Sequence, residues 1–217
     1  MHPADCPGAP GVPGWDYETH PNAAVVGDRC KAILIALRSG QVDAGASTQN
    51  TTGQHRDMFS GLTPNECPYF AGHYRGEEFR CLKYYRVGVQ ADPRVGTSPE
   101  RVAYEMTNLE QNILRSGFSA MSAAFAIPDA RLSPTEKLYY LTVFVCKVLE
   151  EFLRIHPYAN GNGHMGRLIV WLILSKFGYW PKKWPLDDRP NYSDLLTLHR
   201  NGSPEHLEAF VLNAICG

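Results

Sequence analysis

A chain of 217 residues is the length of one domain, and its 44% hydrophobic fraction suffices for a single buried core rather than two full domains. Lysine and arginine number 21 against 22 acidic residues, a formal net charge of −1 that gives no overall field to draw the chain onto nucleic acid or an anionic membrane. Any phosphate binding must therefore be local, and neither nucleic acid nor a membrane is expected as a partner.

The longest apolar run, Leu168 to Leu174, is far too short to span a bilayer. Met1 to Trp15 is rich in proline and glycine and has neither the basic lead nor the apolar stretch of a secretory signal. Six cysteines (Cys6, Cys30, Cys67, Cys81, Cys146 and Cys216) are scattered without a C-x-x-C pair, which reads as six free thiols in a reducing compartment. The expected location is cytoplasmic, with export as an effector as the alternative.

In chain order, residues 1–21 read as an irregular lead segment and residues 22–217 as one domain. A first helix is predicted from Asn22 to Arg38, with Val26, Cys30, Ile33 and Leu37 at helical spacing and Gly40 as its stop. Residues 41–54 carry few apolar anchors and are expected to form a mobile loop, followed by a short helical turn at His55 to Phe59. Between residues 71 and 97, Tyr84 to Val89 is rich in strand-favouring residues and is punctuated by Gly72, Gly76, Gly88 and Pro93, so a β-hairpin is expected there. Arg75 and Arg94 flank it as candidate target-steering cations. Ser98-Pro99-Glu100 opens a second helix with Val102, Met106, Leu109 and Ile113 on one face. Ser133-Pro134-Thr135-Glu136 is a capping box opening a long, central helix, which Pro157 ends at or before His156. Another helix is predicted from about Gly163 to Gly178, and two short ones at Tyr192 to His199 and Pro204 to Ile215, the latter capped by Ser203.

The chemistry concentrates in His156-Pro-Tyr-Ala-Asn-Gly-Asn-Gly-His-Met-Gly-Arg167, between two apolar helices. Backbone N–H groups of Gly161-Asn162-Gly163, at the opening turn of a helix, form a concave nest whose unpaired donors favour an anion such as phosphate. Arg167, one turn further on, is placed as a second clamp on the same polyphosphate. His156, at the exit of the preceding helix, can take a proton from an attacking hydroxyl. Each element alone reads as ordinary structure; together within a dozen residues they point to group transfer from a nucleotide.

This segment resembles the Fic family's motif H-x-F-x-[DE]-G-N-G-R-x-x-R, matching it at His156, Gly161, Asn162, Gly163 and Arg167, with Tyr158 in place of the anchoring aromatic. The resemblance extends to His55-Arg-Asp-Met-Phe59, to Ala71-Gly-His-Tyr-Arg75 and to Val87-Gly-Val89 leading into Ser98-Pro-Glu-Arg-Val102. It covers roughly residues 50–180. It implies a mainly α fold, a helical bundle with a small β-hairpin flap at about residues 71–97 over the motif 156–167. By the same resemblance His156 is the base, the G-N-G backbone cradles phosphates, and a target protein docks along the flap.

Two positions depart from the motif. Asn160 stands where the family has an acid that holds Mg²⁺, so it is expected to be a weakened magnesium ligand. His164 replaces the first arginine; protonated, it would contact phosphate, which predicts activity rising as the pH drops toward 6. The reading is a protein adenylyltransferase-like enzyme taking ATP or another nucleotide as co-substrate. Phosphate or phosphocholine transfer is an alternative, and a silent nucleotide- or protein-binding module is another. A transition-metal site built from His156, His164 and His73 ranks well below these. The family's inhibitory [ST]-x-x-x-E-[GN] sequence is absent, so the restraining glutamate would come from a separate inhibitory protein if the enzyme is restrained at all. Oligomeric state is not legible.

Overall fold

The computed structural model describes residues 2–88 and 92–217. Among these described residues nine α-helices follow in chain order: α1 (Val25–Arg38), α2 (Ala44–Gln49), α3 (Thr52–Phe59), α4 (Pro99–Asn108), α5 (Arg115–Ala126), α6 (Pro134–Ile155), α7 (Asn162–Lys176), α8 (Ser193–Arg200) and α9 (Glu205–Cys216). A π-helical turn, Leu109–Leu114, joins α4 to α5, so the second predicted helix is a continuous rod with one widened turn.

The helix α6 forms where the capping box places it. The Ser133 side chain accepts from the Glu136 amide, and Glu136 reaches back to the Ser133 amide. This helix packs against α7, and also against α4, α5, α8 and α9. Gly166 on α7 lets the two central helices approach closely: a Cβ there would sit 3.1 Å from Leu149 and Leu153 side-chain carbons. Met165 through Leu174 are all buried, which explains why this helix shows apolar residues on every side.

Three expectations need correction. Residues 41–54 are not a bare loop: Asp43 accepts from the Ala46 amide to start α2, which packs on α7, and α3 begins at Thr52. The apolar anchors are few because these are short helices whose small residues lie against a large partner. Second, the described part of residues 71–97 forms turns and contains no strand, while the end of the expected hairpin's first strand, Val89, lies outside the described residues. Gly96 and Thr97 instead donate backbone N–H groups to the carbonyls of Arg154 and Ile155, satisfying the end of α6. Third, Cys6 and Cys81 form a disulfide across 75 residues of sequence, so the reading of six free thiols is wrong for these two, and cysteine usage no longer argues for a reducing compartment. Cys30, Cys67 and Cys146 are buried thiols and Cys216 an exposed one. Among the described residues no helix is long and apolar enough to cross a membrane.

Arg75, expected at the surface, is 1% exposed. Its guanidinium donates to four main-chain carbonyls: His156 from Nε at 2.8 Å, Tyr85 from Nη1 at 3.1 Å, and Thr97 and Ile155 from Nη2 at 2.9 and 3.1 Å. Arg94 is likewise committed, to Asp92 at 2.8 Å. A lysine at position 75 keeps the charge but loses the planar fork that reaches all four carbonyls at once. Arg75→Lys is expected to destabilise the fold by on the order of 3 kcal/mol, read as a lower urea midpoint; an unchanged midpoint would contradict the role assigned to the fork.

Candidate active site

Helix α6 ends at His156, which adopts the left-handed conformation (φ 53, ψ 61) and is the one non-glycine residue with positive φ among those described. That geometry is disfavoured for a side chain larger than glycine and here is held from two sides. Arg75 grips the His156 carbonyl, and the ring nitrogen Nδ1 lies 2.6 Å from the Leu153 carbonyl oxygen. A carbonyl only accepts, so Nδ1 carries the proton and Nε2 keeps its lone pair. Nε2 has no partner among the described residues, and His156 lines a cavity of about 580 Å³ together with Gly161, Gly163, His164 and Arg167. Burial, followed by the charges of Arg75, Arg200 and Arg189, pushes its pKa down to about 4. The imidazole is thereby held neutral at physiological pH, with the Nε2 lone pair toward the cavity.

The loop between α6 and α7 is shaped by side chains that do not touch the cavity. Asn162 clamps the Tyr158 main chain on both sides, Oδ1 accepting from Tyr158 N and Nδ2 donating to Tyr158 O, each at 2.9 Å. Tyr158 is fully buried, stacked on His55 at 3.8 Å, and its hydroxyl meets Thr51 Oγ1 at 2.7 Å. His55 accepts from the Gly72 amide at Nδ1 and donates from Nε2 to the Asn160 carbonyl, both at 2.9 Å. Burial drives its pKa to about 3, so it is a permanently neutral brace. Gly161 (φ 78) starts α7; a Cβ there would strike the Phe59 ring at 2.3 Å.

Beyond this cap the N–H groups of Asn162, Gly163 and His164 have no acceptor among the described residues, so the opening turn of α7 presents free donors. The Gly161 amide is already taken by Asn160 Oδ1 at 2.6 Å. Arg167 is 3% exposed, and no carboxylate among the described residues lies within ion-pair distance of it. Its Nε and Nη2 hold the Leu186 carbonyl, and Nη1 faces Gly163. A buried guanidinium without a counter-charge is suited to an anionic ligand. The exposed Asp187, Asp188 and Asp194 rim the same cavity, so the attraction for an anion is confined to the floor built by α7.

The two departures from the motif meet one segment that no local pattern brings here, residues 15–18. Asn160 Nδ2 donates to the Trp15 carbonyl at 2.9 Å, and His164 Nε2 lies 2.6 Å from the Tyr17 hydroxyl. Trp15 Nε1 in turn donates to Leu62 O, and Tyr17 packs on Phe59. Asn160 thus spends both side-chain atoms on the protein, and no cluster of three or more His, Cys, Asp or Glu side chains suited to a metal exists among the described residues. This donor set does not fit a resident Mg²⁺. The transition-metal reading fails on the same ground, with His73 bonded to Glu77 at 2.7 Å. Burial and the adjacent Arg167 lower the His164 pKa to about 4, which disfavours the protonated ring on which the expected acid-side activation depends.

With the geometry in place, the comparisons give the family. The sequence model of the Fic/DOC family matches residues 48–174, more than half of the chain, and the chain belongs to that family. It is similar to a Fido domain-containing protein of Dictyostelium discoideum, 26% identical over 137 residues that cover 60% of this chain and 83% of that protein. Members of the family usually transfer AMP or other phosphate-bearing groups to proteins.

Two outcomes follow from this arrangement. His55, His156 and His164 all have folded-state pKa values below the ordinary histidine value. As the pH falls below about 6.5 the unfolded chain takes up protons that the folded chain refuses, so stability drops by up to about 1.4 kcal/mol per pH unit for each histidine. Urea midpoints should fall steadily from pH 7 to 5, and a flat profile would contradict the burial of these rings. Asn160→Asp replaces a donor to the Trp15 carbonyl with an acceptor, and is expected to cost about 1–3 kcal/mol by thermal or urea unfolding.

Proposed function

We propose that this chain transfers a nucleotidyl or related phosphate-bearing group from ATP or another nucleotide to a hydroxyl side chain of a protein. The observation that carries the reading is the pairing of an unprotonated His156 Nε2, facing the cavity, with the free amides of Asn162, Gly163 and His164 and the uncompensated charge of Arg167. In the adenylyl case the hydroxyl oxygen bonds to the α-phosphorus, the bond to the pyrophosphate oxygen breaks, and the hydroxyl proton passes to His156 Nε2. The protein contributes position and charge neutralisation rather than a covalent intermediate. The helix amides stabilise the phosphate oxygens that gain charge, and Arg167 orients the distal phosphates.

Magnesium is assigned no step, because Asn160 is turned to Gly161 and Trp15. A target protein docks along the stretch of residues 84–97: Gly88, Asp92 and Val95 line the cavity, and Asp92 is tied to α8 through Arg200 at 3.2 Å. Restraint by a separate protein that supplies a glutamate to Arg167 belongs to the same proposal.

The competing reading, a silent nucleotide-binding module, draws on the replacement of the motif's acid and arginine. Intact-mass analysis after incubation with ATP, GTP, UTP, CTP and CDP-choline separates the two. A mass gain in the chain or an added target is expected, and His156→Ala should lower transfer by about 10²–10⁴-fold while calorimetric nucleotide affinity changes little. Nucleotide binding with no modification from any donor would establish the silent module instead.

A further inference from the structure

We propose that the mouth of the cavity docks a basic protein segment, so that the hydroxyl modified by this chain is one flanked by lysine or arginine. The proposal rests on the transfer reading above and names the chemistry of the target.

The charges that line the cavity are sorted by depth. At the floor Arg167 is 3% exposed, has no carboxylate within ion-pair distance among the described residues, and stands beside the free amides of α7. At the mouth four exposed carboxylates gather from three stretches of chain: Glu18 in the N-terminal segment, Asp187 and Asp188 between α7 and α8, and Asp194 in the first turn of α8. No ion pair among the described residues involves any of the four; Asp188 accepts from the Arg189 amide at 2.7 Å. The other charges on the cavity are already committed. Asp92 is held by Arg94 and Arg200, and Arg200 also reaches Glu150 at 2.8 Å. Arg189, the exposed cation of the mouth, is turned onto Ser193 Oγ at 2.7 Å.

The four carboxylates do not converge on one point, since no three His, Cys, Asp or Glu side chains among the described residues are placed to share a metal ion. Carboxylates set apart around a mouth fit cations set apart along a chain. The acceptor hydroxyl has to pass this mouth to reach His156 Nε2, which has no partner among the described residues, so the segment that carries it meets the rim. An acidic segment there sets like charge against like, and a neutral one leaves the carboxylates uncompensated beside an anionic nucleotide. A basic segment offsets both, so target and nucleotide favour each other's binding. With a net charge of −1 over the whole chain, this selectivity is local to the mouth.

Two short peptides test this on the full chain, identical but for the residues that flank a central serine, lysines in one and glutamates in the other. Fluorescence anisotropy at low ionic strength is expected to give the lysine peptide about tenfold the affinity of the glutamate peptide, a gap that narrows as salt is added. The salt series needs no substitution. In the triple variant Asp187→Asn, Asp188→Asn, Asp194→Asn, whose exposed changes leave the melting temperature in place, the gap is expected to shrink to about twofold. Mass spectrometry of both peptides after incubation with ATP and the other donors reads which one is modified. Equal affinities, binding of neither peptide, or a gap that survives salt or the triple variant overturns the basic-target proposal. Modification of both peptides alike also overturns it and leaves transfer standing. Preferential docking of the lysine peptide with no modification from any donor upholds the partner of the rim and overturns the transfer reading instead.

Discussion

The site depends on a buried arginine that does not line the cavity. Arg75 joins carbonyls from three separate stretches: the end of α6 at Ile155 and His156, the segment at Tyr85, and the lead into α4 at Thr97. The last carbonyls of a helix have no partner of their own, and leaving them buried and unpaired costs more than any single bond returns. A planar, multi-donor cation resolves that problem in one residue. The cost is visible in the charge itself, since burial lowers its pKa to about 10. Because one of the gripped carbonyls belongs to His156, the same fork that closes α6 also holds that residue in its left-handed conformation. Position of the imidazole is thus a property of the packing between α6 and residues 75–97, and not of the motif alone.

Neutrality is the second theme. His55, His156 and His164 are three rings placed in one region, and each is kept uncharged by burial. Their roles differ because their partners differ. His55 uses both nitrogens on backbone and braces the loop. His164 sits between a cation and a phenol. His156 alone has a nitrogen with no protein partner among the described residues. The permanent charge at the floor comes from Arg167, so the floor offers one guanidinium and oriented amides rather than a cluster of cations.

Much of the fold was legible because its signals are local. The capping box at Ser133, the proline after His156 and the glycines at 161 and 178 each set a helix boundary through chemistry within a few residues. The places of His156, of the opening turn of α7 and of Arg167 were legible for the same reason. What escaped was set by distant partners. The short helices α2 and α3 owe their stability to α7, the disulfide joins positions 75 residues apart, and Arg75 reads as a surface residue unless its four carbonyls are known. The two replaced motif positions looked like losses of function because the residues that receive them, Trp15 and Tyr17, lie some 145 residues earlier. Asn160 is better matched than an acid to the Trp15 carbonyl, a fact that no local pattern carries.

That last contact bears on where this protein's working unit starts. The family match opens at residue 48, at the edge of α3, yet the segment wedged against Asn160 and His164 precedes it by some thirty residues and is fastened at its far end to Cys81. A fragment trimmed to the family boundary would retain every motif residue and still forfeit one wall of the cavity, along with the aromatic cover on Phe59. The motif and its N-terminal wedge are one inseparable piece.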